Sequence, residues 1–211
     1  MTLTIEQMYE MQKELDTKII KEKGLEGQDL LPNTVLALQV EIGELANEWR
    51  GFKHWSNDRD PRTRIVCMMC HGIGEIYQPI EGIQVICPHC DGDGRENPSN
   101  PLLEEYVDCL HFFLSIARQL DLPVTDLNIQ VDAIEAQTAA LFSELLNLIG
   151  VLNGQSFLIN PEAVSKREYF RYALGIFFIL GYQYLGFTFE QIAEAYAAKN
   201  AVNHQRQANG Y

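Results

Sequence analysis

The chain has 211 residues, 46% of them hydrophobic, a size that predicts one domain or one domain carrying a small insert. Its 29 acidic residues outnumber 16 basic ones, giving a net charge of −13. Such a surface argues against general binding to nucleic acid polymers or to anionic membranes. It does not exclude a nucleotide substrate, because a bound divalent cation reverses the local field.

The sequence predicts no targeting or membrane-spanning segment. Its first residues have neither a basic start nor an apolar run, so no secretory signal is predicted there. The longest uncharged stretch, 172–189, contains Gln183 and three glycines, and a buried helix followed by a loop explains it better than a membrane span. We therefore expect a cytoplasmic protein, in which neighbouring cysteines favour metal ligation over disulfides.

The spacing of apolar residues predicts mainly helices. The first is expected over 4–22, and the second runs from Pro32 to about Trp49. After an interruption, helices are expected over 102–119, 128–152, 161–184 and 188–208. The last of these begins with a capping box, Thr188–Gln191. The predicted fold class is therefore all-α, a helical bundle.

Residues 56–101 interrupt the helical pattern with cysteines, glycines and a short β-like run, Ile83–Ile86, and are predicted to be an inserted module. Two CxxC motifs lie in this module with sixteen residues between them, and their cysteines are Cys67, Cys70, Cys87 and Cys90. Four thiolates at this spacing predict one tetrahedral Zn²⁺ site. The repeated CxxCxGxG pattern resembles the zinc repeats of DnaJ-type chaperones, although the helical remainder does not.

The zinc is expected to be structural, because the module is too small to fold without it. Contact with a peptide or a nucleic acid is the alternative. The module's arginines favour that alternative only weakly, since neighbouring acids offset them. Cys109 stands apart in an apolar helix and is expected to be a plain core residue.

Two acidic pairs are the main candidates for chemistry. Glu41 and Glu44 lie at i and i+3 in the second helix, and Glu105 and Asp108 have the same spacing in the 102–119 helix. Each pair shares a helix face with large apolar residues, so we expect all four carboxylates to point inward. Carboxylates grouped in an interior require a cation, and divalent metal is the prediction. A solvated acidic stripe is the alternative.

The tail carries a second pattern. Lys199, Asn203 and Arg206 recur at i, i+4 and i+7, which makes a basic and polar stripe in an acidic protein. Such a stripe suits phosphate oxygens, because arginine offers a fork of donors and lysine a point charge. A frayed, solvated terminal helix is the alternative.

Three segments together resemble a known superfamily. They are ExxE leading into Trp49–Trp55, ExxD leading into His111–Ser115, and the tail from Tyr196 to Tyr211. This combination is similar to the all-α nucleoside triphosphate pyrophosphatases, which include the MazG-type enzymes, and above all to the dimeric dUTPase family. The resemblance covers 1–55 and 102–211, expected to form the catalytic domain. Residues 56–101 depart from it as an inserted four-cysteine zinc ribbon.

The resemblance implies a Mg²⁺-dependent hydrolase that cleaves dUTP to dUMP and pyrophosphate, and also cleaves dUDP, as a homodimer. One to three Mg²⁺ ions are expected at Glu41, Glu44, Glu105 and Asp108. Glu44 or Glu41 is the expected general base for the attacking water. The tail stripe would neutralise charge on the phosphates. By resemblance, the residues near the base are Gln12, Asp16, Lys53 and Trp55.

Other functions remain open. Within the same superfamily, cleavage of dCTP or of a broad range of nucleotides is possible. In another class, the chain would be a zinc-dependent binding or regulatory protein on a helical dimer scaffold. A ferritin-like di-iron bundle is a third candidate, since Asp108 and His111 form one carboxylate-x-x-His pair, but no second pair occurs on another long helix.

Overall fold

The computed structural model describes residues 2–78, 82–97, 100–153 and 165–210. The helices and strands within these ranges are α1 (Ile5–Glu22), α2 (Leu31–Trp49), β1 (Ile65–Val66), β2 (Glu75–Gln78), β3 (Ile83–Ile86), β4 (Arg95–Asn97), α3 (Pro101–Gln119), a 3₁₀ turn (Val124–Leu127), α4 (Thr138–Val151), α5 (Lys166–Ile179), a π-helical turn (Leu180–Tyr184) and α6 (Phe189–Ala208). The predicted all-α class with a small inserted ribbon is confirmed.

Helix α3 lies at the centre of the bundle. It packs against α1, α2 and α6, while α2 also packs against α4, and α4 against α5. Its side chains are buried over most of its length, including Tyr106, Leu110 and Phe113. One contiguous core joins all six of the described α-helices. The acidic and polar faces of α1, α2, α3 and α6 are therefore held close together by apolar packing.

Local sequence signals account for the helix ends. Capping boxes begin α1 at Thr4, α5 at Ser165 and α6 at Thr188, and the last of these was predicted. Helix α2 ends at Arg50, which adopts the left-handed conformation (φ 61°) that usually requires glycine. Its guanidinium group offsets this cost by donating to the carbonyl oxygen of Asp58 at 2.8 and 3.1 Å. The chain thereby turns away from α2 toward the cysteine module.

The helix predicted over 128–152 is wrong over 128–137, because α4 begins only at Thr138. The preceding residues form neither helix nor strand, and backbone groups of Ile134 and Ala136 pair with side chains of the π-helical turn. Gln183 exchanges two hydrogen bonds with the backbone of Ile134, and the Tyr184 hydroxyl accepts from the amide of Ala136 at 2.9 Å. These partners are far apart in the sequence, beyond the reach of local periodicity.

The helix expected over 161–184 is seen from Lys166, and 161–164 lie outside the described residues. It widens into the π-helical turn at Leu180, where Gly181 faces the buried ring of Tyr106. No single described helix is long and apolar enough to cross a membrane. Helix α5 with its π turn passes that test only together with α6, at a bend of 114°.

The cysteine module consists of two antiparallel strand pairs. Strand β1 pairs with β4, and β2 pairs with β3. Two backbone hydrogen bonds attach its base to the bundle: the amide of Arg62 donates to Glu48 on α2, and the amide of Leu102 on α3 donates to Arg62. The module thus joins the C-terminal end of α2 to the N-terminal end of α3.

A pair of glycine substitutions tests this packing. A methyl group at Gly181 would lie 2.3 Å from the Tyr106 hydroxyl, whereas one at Gly43, inside α2, meets nothing within 4 Å. We expect Gly181→Ala to destabilise the protein by about 1–3 kcal/mol through overpacking. Gly43→Ala should stabilise it by about 0.5–1 kcal/mol through the lower entropy of the unfolded chain. Urea unfolding measures both, and equal effects of the two changes would contradict the packing described.

Candidate active site and zinc centre

Three of the four predicted metal ligands meet where α2 packs against α3. Glu41 lies on α2, and Glu105 and Asp108 lie on α3. Each offers one carboxylate oxygen, and these oxygens lie within 4.8 Å of one another. All three side chains are partly buried, because neighbours such as Ile42 and Val107 are fully buried in the core. The packing of two helices thus forces three acids together.

The expectation that all four carboxylates point inward is wrong for Glu44, which is exposed. Three helical positions turn the side chain by about 300°, so Glu44 lies roughly 60° around α2 from Glu41 and at the edge of the buried face. Its charge is still close enough to raise the pKa values of Glu41, Glu105 and Asp108. Glu44 therefore borders the acidic cluster on its solvent side.

The cluster is electrostatically unfavourable without a cation. Burial, and then repulsion from Asp108 and Glu44, raises the pKa of Glu41 to about 7. The same causes raise the pKa of Glu105 to about 7. Burial also raises the pKa of Asp108, although its hydrogen bond and ion pair with Lys199 oppose that shift. A divalent cation among these oxygens would relieve both the desolvation and the repulsion.

Helix α6 places its basic stripe beside the acids. The ammonium group of Lys199 lies 2.5 Å from Oδ2 of Asp108. Lys199, Asn203 and Arg206 all line a cavity of about 260 Å³ that Glu41 and Asp108 also line. This volume is just below the roughly 300–1,000 Å³ usual for small-molecule sites. The structure thus brings the predicted phosphate-binding residues together with two of the four predicted metal ligands, Glu41 and Asp108.

A hydrogen-bonded network forms another part of the same cavity wall. Asp16 on α1 accepts from Arg118 at 2.9 Å, from Ser115 at 3.0 Å and from the amide nitrogen of Gln12 at 2.8 Å. The amide oxygen of Gln12 faces His111, with Nδ1 at 2.6 Å. Gln12, Asp16, His111 and Ser115 all line the cavity. Gln12 and Asp16, the two residues on α1 that were predicted near the base, therefore line the cavity. Both already form hydrogen bonds with other side chains.

His111 is held neutral in this network. It is 5% exposed, and its ring stacks on that of Tyr196 with 4.1 Å between centroids. Burial, and then the positive charge of Lys199, lowers the pKa of His111 to about 3. Its second nitrogen, Nε2, is buried and has no hydrogen-bond partner among the described residues.

The other two residues predicted near the base are not in this wall. Lys53 and Trp55 lie in the loop after α2, and neither is among the described residues that line the cavity. Trp55 is 67% exposed and makes edge contacts with Phe52 and His54. The ammonium group of Lys53 lies 5.6 Å from the centroid of Phe52. These aromatic rings continue into the helical bundle, because Phe52 also stacks on Trp49 of α2 with 6.4 Å between centroids.

The four module cysteines form a compact group. Their sulfur atoms lie within 4.8 Å of one another, with 3.9 Å between Cys67 and Cys87 and 3.6 Å between Cys70 and Cys90. A Zn²⁺ tetrahedron with Zn–S bonds of about 2.3 Å has S–S edges of about 3.8 Å, so the set fits zinc. These separations exclude disulfides, whose S–S length is about 2.05 Å.

Glycines after each CxxC motif complete the zinc site. The amide of Gly74 donates to the sulfur of Cys70, and the amide of Gly94 to that of Cys90, both at 3.3 Å. Both glycines have positive φ, and a methyl group on either would lie 2.3 or 2.4 Å from a backbone oxygen of the other motif. The repeated glycines are therefore required by two interlocked knuckles.

Sequence reasoning gave no role to Ser115, Arg118 or Gln207. Ser115 and Gln207 line the cavity. Arg118 does not line it, but forms an ion pair with Asp16, which does. A signal was present, because Asp108, Ser115 and Arg118 continue one stripe of α3 through His111 at spacings of three and four. That stripe predicts a site only when α1 is known to pack against α3, because Ser115 and Arg118 bond to Asp16 on α1.

Comparison with known protein families gives a match over most of the chain. A family model described as dUTPase matches residues 4–68 and 93–211. It leaves out 69–92, which contain three of the four clustered cysteines. A search of curated proteins found nothing that matches this chain.

Zinc content tests the cysteine centre. Cys87→Ser removes one thiolate ligand, so we expect the bound zinc to fall from about one ion per chain toward none. Cys109→Ala is the matched control, because Cys109 is buried in the helical core and belongs to no metal-ligand group among the described residues. Elemental analysis after gel filtration measures both. Full zinc in the Cys87 variant would contradict a four-thiolate site.

The raised pKa of Glu41 predicts how stability depends on pH. The folded metal-free protein holds this proton more tightly than the unfolded chain, so its stability falls as pH rises from about 4.5 through about 7. Glu41→Gln removes this penalty. Solvent screening leaves roughly 1 kcal/mol for a half-exposed group, so Tm at pH 8 should rise by about 2–4 °C.

At pH 4.5 the Glu41→Gln variant and the wild type should melt together in thermal scans with a chelator. The exposed Glu14→Gln is the control and should change Tm at neither pH. A Glu41→Gln protein that is less stable than wild type at pH 8 would show that the acid is not destabilising.

Proposed function

This chain belongs to the dUTPase family and is a dUTP diphosphatase-type nucleotide hydrolase, and on that premise we propose that it requires Mg²⁺. Its reaction would be the hydrolysis of dUTP to dUMP and pyrophosphate, with dUDP as a second substrate. The observation that carries the proposal is the cavity that Glu41 and Asp108 line together with Lys199 and Arg206. Acids for a metal and cations for phosphates share one site there.

The donor set fits Mg²⁺. Carboxylate oxygens of Glu41, Glu105 and Asp108 lie within 4.8 Å of one another, and opposite ligands of an octahedral Mg²⁺ are separated by about 4.2 Å. Glu41, Glu105 and Asp108 would hold the ion, which would supply positive charge to offset that of the phosphates. Glu44 lies outside this group of three and would be a fourth ligand from the edge of the cluster. We expect one to three ions.

Glu44 is our candidate for the general base. It is exposed, so water reaches its carboxylate, and it borders Glu41 and Glu105 closely enough to affect their pKa values. A carboxylate in this position can orient a water molecule and accept its proton during attack on phosphorus. Glu41 has a raised pKa and is less exposed than Glu44, and it suits the role of a metal ligand.

Lys199, Asn203 and Arg206 would bind the phosphate chain. Lys199 supplies a point charge, Arg206 a planar fork of donors, and Asn203 a neutral amide. All three lie on one face of α6 against the acids of α2 and α3. Charge that develops on the leaving pyrophosphate would thus meet fixed cationic donors.

For the base, Gln12 and Asp16 are supported by their position in the cavity wall. Lys53 and Trp55 stay a prediction that needs the loop after α2 to approach the cavity or to meet a second chain. A homodimer and a catalytic unit of 1–55 and 102–211 around an inserted module 56–101 are part of the proposal. The family match leaves out 69–92, the central part of that module, and so supports an insertion there. A cytoplasmic location also stays a prediction.

A nucleotide panel tests the proposal. Purified protein with Mg²⁺ should release pyrophosphate from dUTP in preference to dCTP, dTTP and UTP, and dUDP should yield phosphate. Removing Mg²⁺ with a chelator should abolish turnover. No release from any pyrimidine nucleotide would reject the function, and zinc-dependent binding without turnover would favour a regulatory protein.

Replacing the candidate base gives a sharper test. Glu44→Gln should lower kcat by about 10²–10⁴-fold, because the amide cannot accept the proton from water. Glu14→Gln, an exposed acid on α1, is the control and should keep wild-type kcat. Circular dichroism checks that both variants fold. A Glu44→Gln enzyme with normal kcat would leave Glu41 as the candidate base.

A further inference from the structure

A second cavity lies between α3 and α6, and the proposed reaction does not use it. Leu103 and Val107 line it from α3, and Ala198 and Val202 from α6, so we call it the α3–α6 groove. Its volume is about 410 Å³, against about 260 Å³ for the cavity described above, which we call the catalytic cavity. Only the groove falls within the range of roughly 300–1,000 Å³ that is usual for small-molecule sites.

The two cavities share their cations. Lys199 and Arg206 line the catalytic cavity and also the α3–α6 groove, so both side chains lie at the boundary between them. Their positive charges also reach Asp108, where they oppose the rise of its pKa. An anion in the groove would therefore draw on the same two charges that the acidic cluster and the substrate phosphates use.

Most of the remaining lining of the groove is apolar. Val107 is fully buried, whereas Val202 is 41% exposed, so the groove leads from the core to the surface. Ala195 and Ala198 have small side chains, and they let a flat ring come close to the backbone of α6. A ligand that fills the groove must therefore combine an apolar face with an anionic group.

Glu104 narrows the choice of ligand. Its side chain is exposed and lines the groove but not the catalytic cavity, and a carboxylate only accepts hydrogen bonds. An alkyl carboxylate has no donor for Glu104, and inorganic phosphate would leave the apolar wall uncovered. A nucleotide meets all three conditions, because its base has an apolar face and at least one N–H group and its phosphate suits an arginine and a lysine.

We propose that the α3–α6 groove is a second binding site, which takes a nucleoside monophosphate and competes with the catalytic cavity for Lys199 and Arg206. The base would lie against Ala198 and Val202, and the phosphate against the two cations. This inference rests on the proposed function, because the phosphates of dUTP are the competing ligand. Since one set of charges serves both sites, binding at either site weakens binding at the other by the same factor.

Amide NMR shifts locate the ligand in the wild-type protein. Full-length ¹⁵N-labelled protein is titrated with dAMP, which carries the larger type of base, and separately with inorganic phosphate and with decanoate. We expect dAMP to shift the amides of Leu103–Val107 and Ala195–Val202. Shifts confined to Gln12–Asp16 and His111–Ser115, or no shifts, would overturn the proposal. Equal shifts of the groove amides with phosphate or with decanoate would assign the groove to a simple anion or an alkyl chain, and would also overturn it.

A substitution that fills the groove tests the same contact by calorimetry. The indole of Ala198→Trp would occupy the place of the base, so the affinity for dAMP should fall by about tenfold or more. Ala201→Trp is the matched control, because Ala201 is exposed on the same helix and is not among the described residues that line either cavity. Circular dichroism checks that both variants fold. Equal affinity of the wild type and both variants would overturn the proposal, and the wild-type spectra decide it if Ala198→Trp does not fold.

Inhibition kinetics test the competition between the two sites. Saturating dAMP should raise the apparent KM for dUTP by roughly tenfold in the wild type, a usual size for coupling between sites, and leave kcat unchanged. The same concentration should have much less effect on Ala198→Trp. Equal inhibition of both proteins would place dAMP in the catalytic cavity, and binding without inhibition would remove the competition, so either result overturns the proposal. If dUTP itself is not turned over, the proposed function fails, and the NMR shifts alone decide whether the groove binds a nucleotide.

Discussion

The packing of α2 against α3 is the constraint on which the site depends. It buries apolar residues on both sides of Glu41 and Glu105, and the acids between them have no way to separate without breaking the core. Their pKa values near 7 express the free energy stored in this arrangement. The fold therefore maintains an unfavourable charge cluster because apolar burial outweighs it, and a cation converts that cost into binding affinity.

Much of this could be predicted from sequence, since the signals are local. Acid pairs at i and i+3, capping boxes and two CxxC motifs each act within one turn or one knuckle. The wrong predictions concern residues whose structure depends on contacts with residues that are distant in the sequence. The irregular residues before α4 bond to the side chains of Gln183 and Tyr184, and the exposure of Glu44 depends on how far the α2–α3 interface extends. The hydrogen-bonded network that contains His111 also contains Asp16, which lies far away in the sequence.

The inserted module illustrates how a bundle tolerates added sequence. Its chain leaves α2 at Arg50 and returns to α3 at Pro101, and Arg62 bonds to the backbone of both helices. The two acid-bearing helices are thus tied together at the base of the module, however long the segment beyond it. Four thiolates fold that segment without help from the helical core, because its buried cluster is separate from the main one. The cysteine cluster and the acidic cluster are therefore held by separate packing.

The contact between Lys199 and Asp108 has a consequence for how ligands would assemble. Asp108 has two prospective partners, the lysine it contacts and the Mg²⁺ proposed for the acidic cluster. A metal that takes over this carboxylate sets Lys199 free to turn toward phosphate oxygens, and a nucleotide that attracts Lys199 leaves Asp108 open to metal. Each event lowers the cost of the other, and thermodynamic linkage makes the two effects equal. One shared carboxylate would thereby make metal and nucleotide bind cooperatively.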